Sequence, residues 1–255
     1  MDKLRLGGMA LANGVLVHGP TAWGCAVRTP AGEIRVASGR RRRFASGLDA
    51  PVVRGPLRLA EAFALLPDVR RRLPEARFPF ERPGVLAAVV AGTVAASAAR
   101  RSRLSLGTRE AVAAFASLVP AALALRGGEL AAYHGAEHVS IGTYEQDGQR
   151  AAKEHDRCGS HLVGPLLLSS LAASALAAKA PPAGRPVARL AGAVGALGAS
   201  VEVFAWMTRN PRHPLARALS RPGHLLQSRL STAEPSPAQL AVAEAALAAC
   251  LELER

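Results

Sequence analysis

The sequence predicts an α+β protein with a small β-rich N-terminal unit followed by a mostly helical, membrane-embedded bundle of about four apolar helices. Short apolar runs separated by glycine and turn residues fill residues 4–60, which is typical of strands. After Pro83 the chain changes to long uncharged runs, which are typical of helices surrounded by apolar material. We therefore divide the chain into a β-rich region with a basic connector (residues 1–82), an apolar helical bundle (83–210) and a C-terminal tail with an amphipathic helix (211–255).

The β-rich region contains two stretches that read as strands, "GVLVHGP" and "WGCAVRTPAGEIRVASG". Thr29-Pro30-Ala31-Gly32 lies between apolar runs and predicts a hairpin turn. Leu57–Leu66 predicts a short amphipathic helix that stops at Pro67, because proline interrupts helices. Residues 74–83 read as a proline-broken basic connector, and "GRRRRFASG" (39–47) as a solvated loop or a membrane-surface patch.

Four uncharged or nearly uncharged runs carry the membrane prediction: residues 84–99, 111–125, 162–178 and 190–208, the last interrupted only by Glu202. A bilayer core needs about 20 apolar residues, with about 17 as the lower limit, so each run is marginal. A soluble bundle with buried helices is the alternative. Four such runs between charged loops favour the membrane, and their small residues suit close helix packing in lipid.

The expected topology is multi-pass in the inner (cytoplasmic) membrane, with the N-terminal region in the cytoplasm. No cleavable signal peptide is recognisable, since Leu4–Val17 contains Gly7, Gly8 and Gly14 and reads better as strand. Four spans would also leave the segment between runs two and three in the cytoplasm. The basic loop Arg100–Arg103 argues against this arrangement by the positive-inside rule, so runs one and two are alternatively a shallow hairpin that does not cross.

The net charge of +13 raises the possibility of a nucleic-acid partner. Lysine occurs only at positions 3, 153 and 179, however, and no RNA-binding motif or aromatic stacking platform is recognisable, so nucleic acid is not expected as a partner. The three cysteines are widely spaced and odd in number, which indicates no disulfide framework and fits a reducing compartment.

The segment "YHGAEHVSIGTYEQDGQRAAKEHDRCGSH" (133–161) concentrates residues that bind metals. His134 and His138 are four residues apart, so on a helix they share one face and can offer two imidazoles to one Zn²⁺. His134-Gly135-Ala136-Glu137-His138 satisfies the H-x-x-E-H pattern of inverted zincins, in which the glutamate is the general base for a metal-activated water. The segment therefore predicts a divalent-metal site, with zinc as the expected ion.

A second pair of ligands, His155 and Cys158, follows about twenty residues later. With the first pair it would form a closed, structural four-ligand site, whereas three of the four plus water would form an open, catalytic one. Glu145 shares the face of His134 but lies too far along a continuous helix for the same ion. It joins the metal only if Gly142 breaks the helix, and otherwise supports the site from outside.

Four motifs, in order along nearly the whole chain, carry a family resemblance: "GG…GV…GP…AVRTPAGEI" (7–34), Arg54-Gly55, "YHGAEH…YE…H-RCG" (133–159) and "RPGHLLQSRLSTAEP" (221–235) followed by Val242-Ala243. On these motifs the chain resembles the YqhQ-like family of bacterial membrane proteins. The resemblance implies a cytoplasmic β-containing N-terminal part, several membrane helices and a metal site at His134, Glu137, His138, Glu145, His155 and Cys158. The chain departs from the family pattern at Asn13, Val139 and Ala241, while Glu234 is kept; His161 lies outside the pattern and is interpreted as incidental.

These observations predict a membrane-embedded, metal-dependent enzyme, a hydrolase with Glu137 as the base. Its position at the ends of apolar helices predicts the lipid bilayer as a partner and a lipid-linked or membrane-peptide substrate. The alternative is a non-enzymatic scaffold whose metal clips two helices together. Residues 237–253 predict an amphipathic helix that docks on the N-terminal unit or on a second copy in a homo-oligomer, and residues 221–224 read as a turn.

Overall fold

The computed structural model describes residues 3–43, 47, 50–125 and 128–255, and it confirms the predicted fold class. The strands are β1 (Gly7–Leu11), β2 (Gly14–His18), β3 (Ala22–Arg28) and β4 (Ile34–Arg40). The helices are α1 (Arg54–Phe63), α2 (Leu66–Arg72), α3 (Pro83–Arg101), α4 (Leu106–Leu125), α5 (Gly128–Glu145), α6 (Val163–Ala178), α7 (Arg185–Arg209), α8 (Pro214–Leu226) and α9 (Pro237–Glu254).

The four strands form an antiparallel meander in the order β1-β2-β3-β4. Ala10, Val15 and Ala26 are paired across three strands and share one face, on which α5 and α9 pack. The opposite face, which includes Leu16 and Cys25, is covered by α2 and the segment that follows it. The predicted C-terminal helix therefore docks on the sheet of its own chain, which is one of the two partners expected for it.

Turn chemistry explains two local features of the N-terminal unit. The predicted hairpin turn joins β3 to β4, where Gly32 has φ +85° and its N–H donates to the Thr29 carbonyl at 2.9 Å. The prediction of one helix ending at Pro67 is wrong: α1 ends at Phe63 and Pro67 lies in the first turn of α2. A proline needs no hydrogen-bond acceptor at that position, so it begins a helix as readily as it ends one.

The four apolar runs form two antiparallel helical hairpins, α3 with α4 and α6 with α7. Helix α3 starts next to the sheet core at Phe78, and α4 leads back to α5, which packs on the sheet. Helix α6 follows Cys158 after a 3-10 turn at Gly159–Leu162, and α7 leads back to α8. Both hairpin loops (102–105 and 179–184) therefore lie at the end of the bundle away from the sheet.

Large apolar side chains cover the outside of these hairpins. Val90, Phe115, Leu176 and Val187 are each more than 60% exposed, one on each of the four helices. Among the described residues, the segments long and apolar enough to cross a membrane are Pro83–Arg101, Gly159–Ala178 and Pro182–Arg209. A soluble bundle would bury such side chains, and an apolar surface of this extent needs an apolar surrounding. The chain is therefore described as a membrane protein.

Candidate metal centre

Helix α5 is the central element of the part of the molecule outside the apolar hairpins. Every residue from Leu130 to Gly142 is buried, because α5 packs against the sheet, against α9 beside it and against the segment that contains Ala233. Burial on all sides explains why this helix has no polar face, and it makes any charged or polar group on it costly without a partner. Such groups on α5 include His134, Glu137 and His138, which are 8%, 6% and 2% exposed.

Three side chains converge beside α5: His134, His138 and Cys158. Their ligand atoms all lie within 4.8 Å of one another, and the His134 Nε2 is 3.6 Å from the Cys158 Sγ. Tetrahedral zinc with Zn–N of about 2.05 Å and Zn–S of about 2.3 Å places a nitrogen and a sulfur about 3.6 Å apart. The spacing of these two atoms is therefore compatible with their binding a single ion.

Two backbone carbonyls orient the imidazoles. The His134 Nδ1 lies 2.8 Å from the Ser231 carbonyl oxygen, and the His138 Nδ1 lies 2.7 Å from the Lys153 carbonyl oxygen. Because a carbonyl oxygen only accepts, each Nδ1 carries the ring hydrogen and each Nε2 keeps its lone pair. Hydrogen bonds of this kind fix the tautomer and orientation of metal-binding histidines.

Burial sets the charge states of the ligands. Desolvation, followed by the neighbouring His134, lowers the pKa of His138 to about 3, so its imidazole is neutral at physiological pH. Burial also raises the pKa of the Cys158 thiol, which disfavours a free thiolate. A cation that binds the sulfur would displace the proton, so metal binding at this centre releases a proton.

Glu137 lies against the centre and against strand β1. A Cβ on Gly8 would overlap the Glu137 carboxylate, so the bare backbone of β1 provides the space that this side chain occupies. Within the part of the chain that the structure describes, its carboxylate has no hydrogen-bond partner. Desolvation raises the pKa of Glu137 to about 7; the nearby His134 opposes this rise, and Cys158 adds to it. A carboxyl group with such a pKa can both take and return a proton near neutrality.

This raised pKa predicts how the metal-free protein responds to pH. Relative to a Glu137→Gln variant, the wild-type folded state is most favoured below about pH 4.5 and loses stability as the pH rises through about 7, because ionisation is disfavoured in the folded state. The full loss is about 3 kcal/mol at about 1.4 kcal/mol per pKa unit. Thermal melting of both proteins in detergent and chelator, from about pH 5 to pH 8, measures it. Parallel melting curves for the two proteins across this range would contradict the burial of an ionisable Glu137.

The structure pairs Glu145 and His155 with each other beside the centre. The His155 Nε2 donates to the Glu145 carboxylate at 3.1 Å, and its Nδ1 accepts from the Arg157 backbone N–H at 3.3 Å. Arg157 also forms an ion pair with Glu145. Helix α5 continues unbroken through Gly142 to Glu145, which is the condition under which Glu145 was expected to support the site from outside. The His155 ring centre is 5.6 Å from that of His138.

A C-terminal segment completes the centre, although the sequence predicts no role for it. Residues 227–231 form a π-helical turn, after which the chain runs along α5 and the Ala233 N–H donates to the Ala131 carbonyl. A Cβ on Gly135 would overlap the Ala233 carbonyl, so Gly135 permits this contact and brings the Ser231 carbonyl to His134. The motif "LSTAEP" marks this segment in the sequence. Its contribution comes from a backbone carbonyl, however, and side-chain types do not indicate such a contact.

The departures from the family pattern lie in supporting positions. Asn13, in the β1–β2 turn, donates to the Arg28 and Glu75 carbonyls and accepts from the Arg77 N–H. Val139 is buried on α5, and Ala241 is exposed on α9. Glu234, which the chain keeps, forms an exposed ion pair with Arg150. None of the four belongs to the converging group of ligand atoms.

A cavity of about 550 Å³ opens next to the centre. Its polar wall includes Glu145 and His155, and its apolar wall includes Phe204 and Met207 from the last turns of α7. His155 therefore lines the cavity and also lies next to the ligand His138. The cavity lies where the apolar hairpins meet the sheet-containing part of the molecule.

This part of the chain is similar to a protein family. Residues 129–253, which run from α5 to α9, match the family model described as "Protein of unknown function (DUF1385)". No curated protein and no solved structure matches the chain. The match agrees with the resemblance in enclosing both the central motif and the C-terminal motif, which form the centre together.

Proposed function

We propose that this chain, which matches the DUF1385 family model over residues 129–253, is a membrane-embedded, zinc-dependent hydrolase. The observation that carries the proposal is the convergence of two oriented imidazoles and one thiol beside a buried, unpaired carboxylate. The convergence alone is compatible with any metal site. The carboxylate adds the group that hydrolysis needs.

The ligand set fits zinc. Two histidine nitrogens and one cysteine sulfur are typical zinc ligands, and the nitrogen–sulfur spacing matches tetrahedral coordination. Calcium and magnesium prefer oxygen ligands and do not suit a sulfur. His134, His138 and Cys158 would hold the ion, and the carbonyls of Ser231 and Lys153 would orient the two rings.

When bound, a divalent ion at this centre supplies Lewis acidity to the reacting carbonyl or phosphoryl group and to water. Glu137 would then act as general base, for which its position beside the ligands suits it. It takes a proton from the attacking water and returns it to the leaving group. Gly8 and the surrounding helices keep bulk water away from the carboxylate.

The number of ligands favours this function over a structural clip. Structural zinc sites use four protein ligands, whereas catalytic sites use three and leave one position open. The fourth ligand available from the sequence is His155, and both of its nitrogens are engaged by Glu145 and by the Arg157 N–H. The arrangement therefore supports an open site.

The surroundings support a substrate with an apolar part, either a lipid-linked molecule or a membrane peptide. The cavity joins polar groups to apolar residues of α7. A second groove of about 530 Å³ follows α6 and is lined by Phe115, Leu167 and Leu171. An acyl or apolar peptide segment would fit such a groove.

We place the protein in the inner (cytoplasmic) membrane with the sheet and the centre facing the cytoplasm. Most of the Lys and Arg residues lie in segments at the sheet end, as the positive-inside rule requires. Cys158 is also a free thiol, which suits a reducing compartment. The basic residues of the two far loops oppose this orientation. Labelling of cysteines introduced at Ser102 or Ala180 from either side of sealed vesicles decides it.

The test of the centre is the metal content of detergent-purified protein and X-ray absorption at the edge of the bound metal. One sulfur, two imidazole nitrogens and one light-atom ligand from solvent support the hydrolase. An ion with four protein ligands, including a third imidazole, would instead support the structural clip. Protein purified without chelator that holds no metal removes the proposal.

Glu137→Gln is the variant that separates catalysis from metal binding. The amide keeps the shape of the side chain but cannot accept the proton, so turnover is expected to fall about 10²- to 10⁴-fold with the metal content unchanged. Substrate loss from lipid extracts and membrane peptides, compared with wild type, is the readout. Glu234→Gln is the matched control, since Glu234 is exposed and pairs with Arg150 on the surface. Loss of metal from the Glu137 variant would contradict the assignment of the base.

A further inference from the structure

A second group of metal-ligand residues lies on the wall of the cavity. Asp156, His161 and His224 have ligand atoms within 4.8 Å of one another, and all three residues line the cavity. The His224 Nε2 is 3.8 Å from the Asp156 Oδ1, and the rings of His161 and His224 meet edge to face at 4.5 Å. This group shares no residue with the centre on α5.

The buried ring of His161 indicates that this group lacks a bound ligand. Its side chain is 1% exposed, and its Nε2 has no hydrogen-bond partner in the described structure. A buried polar nitrogen without a partner costs about 1–3 kcal/mol, so such atoms are rare unless something binds them. The sequence pattern gives His161 no role, because only the tertiary structure brings His224 to it.

The neighbours of the His161 ring leave its Nε2 free to coordinate. The Gln227 Oε1 accepts from the His155 N–H, so the Gln227 amide nitrogen faces the His155 carbonyl, the Ser160 hydroxyl and the His161 Nδ1. That nitrogen has two hydrogens, which the His155 and Ser160 oxygens use. The His161 Nδ1 lies 3.2 Å from the Gln227 amide nitrogen, and an ion bound at Nε2 would place the ring hydrogen on Nδ1.

Close backbone contact fixes the two histidines relative to each other. Residues 221–224 were expected to form a turn, but they lie inside α8, with Pro222 within the helix. A Cβ on Gly223 would lie 2.8 Å from the His161 Cα and 2.9 Å from the Ser160 carbonyl oxygen. Only glycine allows α8 to approach this closely, so the positions of His161 and His224 are set by packed backbone.

The charge of the cavity suits a cation. Besides Asp156, the carboxylates of Glu145 and Glu154 line it, and Arg157 and Arg217 are its basic residues. Two imidazoles and one carboxylate form a nitrogen–oxygen ligand set that suits divalent first-row metals such as Mn²⁺, Fe²⁺, Co²⁺ and Zn²⁺. Three protein ligands on a cavity wall leave the other coordination positions of an ion directed into the cavity.

We infer that Asp156, His161 and His224 form a second divalent-metal site, distinct from the centre on α5 and open to the cavity. The site binds a first-row transition-metal ion through two nitrogens and one oxygen. Its lack of sulfur separates it chemically from the His134–His138–Cys158 centre. This difference allows the two sites to be observed independently in one protein.

Cobalt titration of the full-length, detergent-purified protein tests the inference. A thiolate bound to Co²⁺ gives an intense charge-transfer band, whereas a nitrogen–oxygen site gives only weak d–d bands. We expect the wild type to take up two equivalents, one of them with the thiolate band. Asp156→Asn and His224→Gln should each take up one equivalent and keep that band. Both residues are exposed enough for these changes to leave folding intact.

Asp147→Asn is the matched control, because Asp147 is an exposed aspartate in the loop after α5 that pairs with Lys3. It should take up two equivalents like the wild type. Uptake of a single equivalent by the wild type, accompanied by the thiolate band, overturns the second site. So does uptake of two equivalents by both site variants. A single equivalent without the thiolate band, lost in His224→Gln, instead supports the second site and removes the centre proposed on α5.

Discussion

Replacing His138 by alanine is expected to remove the metal from the centre on α5, whereas replacing His155 by alanine is expected to leave it bound. The His138 Nε2 lies within 4.8 Å of the other two ligand atoms, and its Nδ1 is held by the Lys153 carbonyl. His155 instead bonds to Glu145. Loss of an outer partner costs about 10- to 100-fold in metal affinity, and loss of a direct ligand costs more.

Competition with a zinc chelator measures both affinities, and thermal melting shows whether each variant remains folded. The His155 variant is the matched control, because its ring is also partly buried and lies in the neighbouring layer. Equal losses in the two variants would show that His155 is a direct ligand, as the sequence reading proposed. The centre would then have four protein ligands, which indicates a structural site.

Replacing Gly135 by alanine is expected to destabilise the protein and loosen the centre. The new methyl group would overlap the Ala233 carbonyl, and moving that segment would draw the Ser231 carbonyl away from His134. Overpacking of this kind costs about 1–3 kcal/mol. We expect a lower melting temperature and weaker zinc retention in the same variant.

Gly195→Ala is the matched control, because it is the same substitution in the interior of α7, where nothing lies within 4 Å of the new Cβ. Helix propensity makes that change neutral or stabilising by up to about 1 kcal/mol. If the Gly135→Ala protein had the same melting temperature as the Gly195→Ala protein and retained zinc like the wild type, the 231–235 segment would not be what holds the centre.

Local sequence patterns were sufficient to predict the secondary structure, because helices, strands and turns depend mainly on neighbouring residues. The strand runs before Arg40, the turn at Thr29–Gly32 and the four apolar runs all appear where they were predicted. The break at Pro67 was wrong because proline is equally compatible with the start of a helix. Whether the apolar helices face lipid was open in the sequence, since burial in a soluble bundle gives the same composition. The exposed Val90 and Phe115 favour lipid.

The sequence by itself determined the α+β class, the order of the elements and the pairing of His134 with His138, because four residues along a helix always share a face. Only the tertiary structure decided that Cys158 joins them while His155 turns to Glu145. It also brought Gly8 of β1 against Glu137 and His224 of α8 to His161. These contacts join residues far apart in the chain through close backbone packing, and no local periodicity encodes such packing.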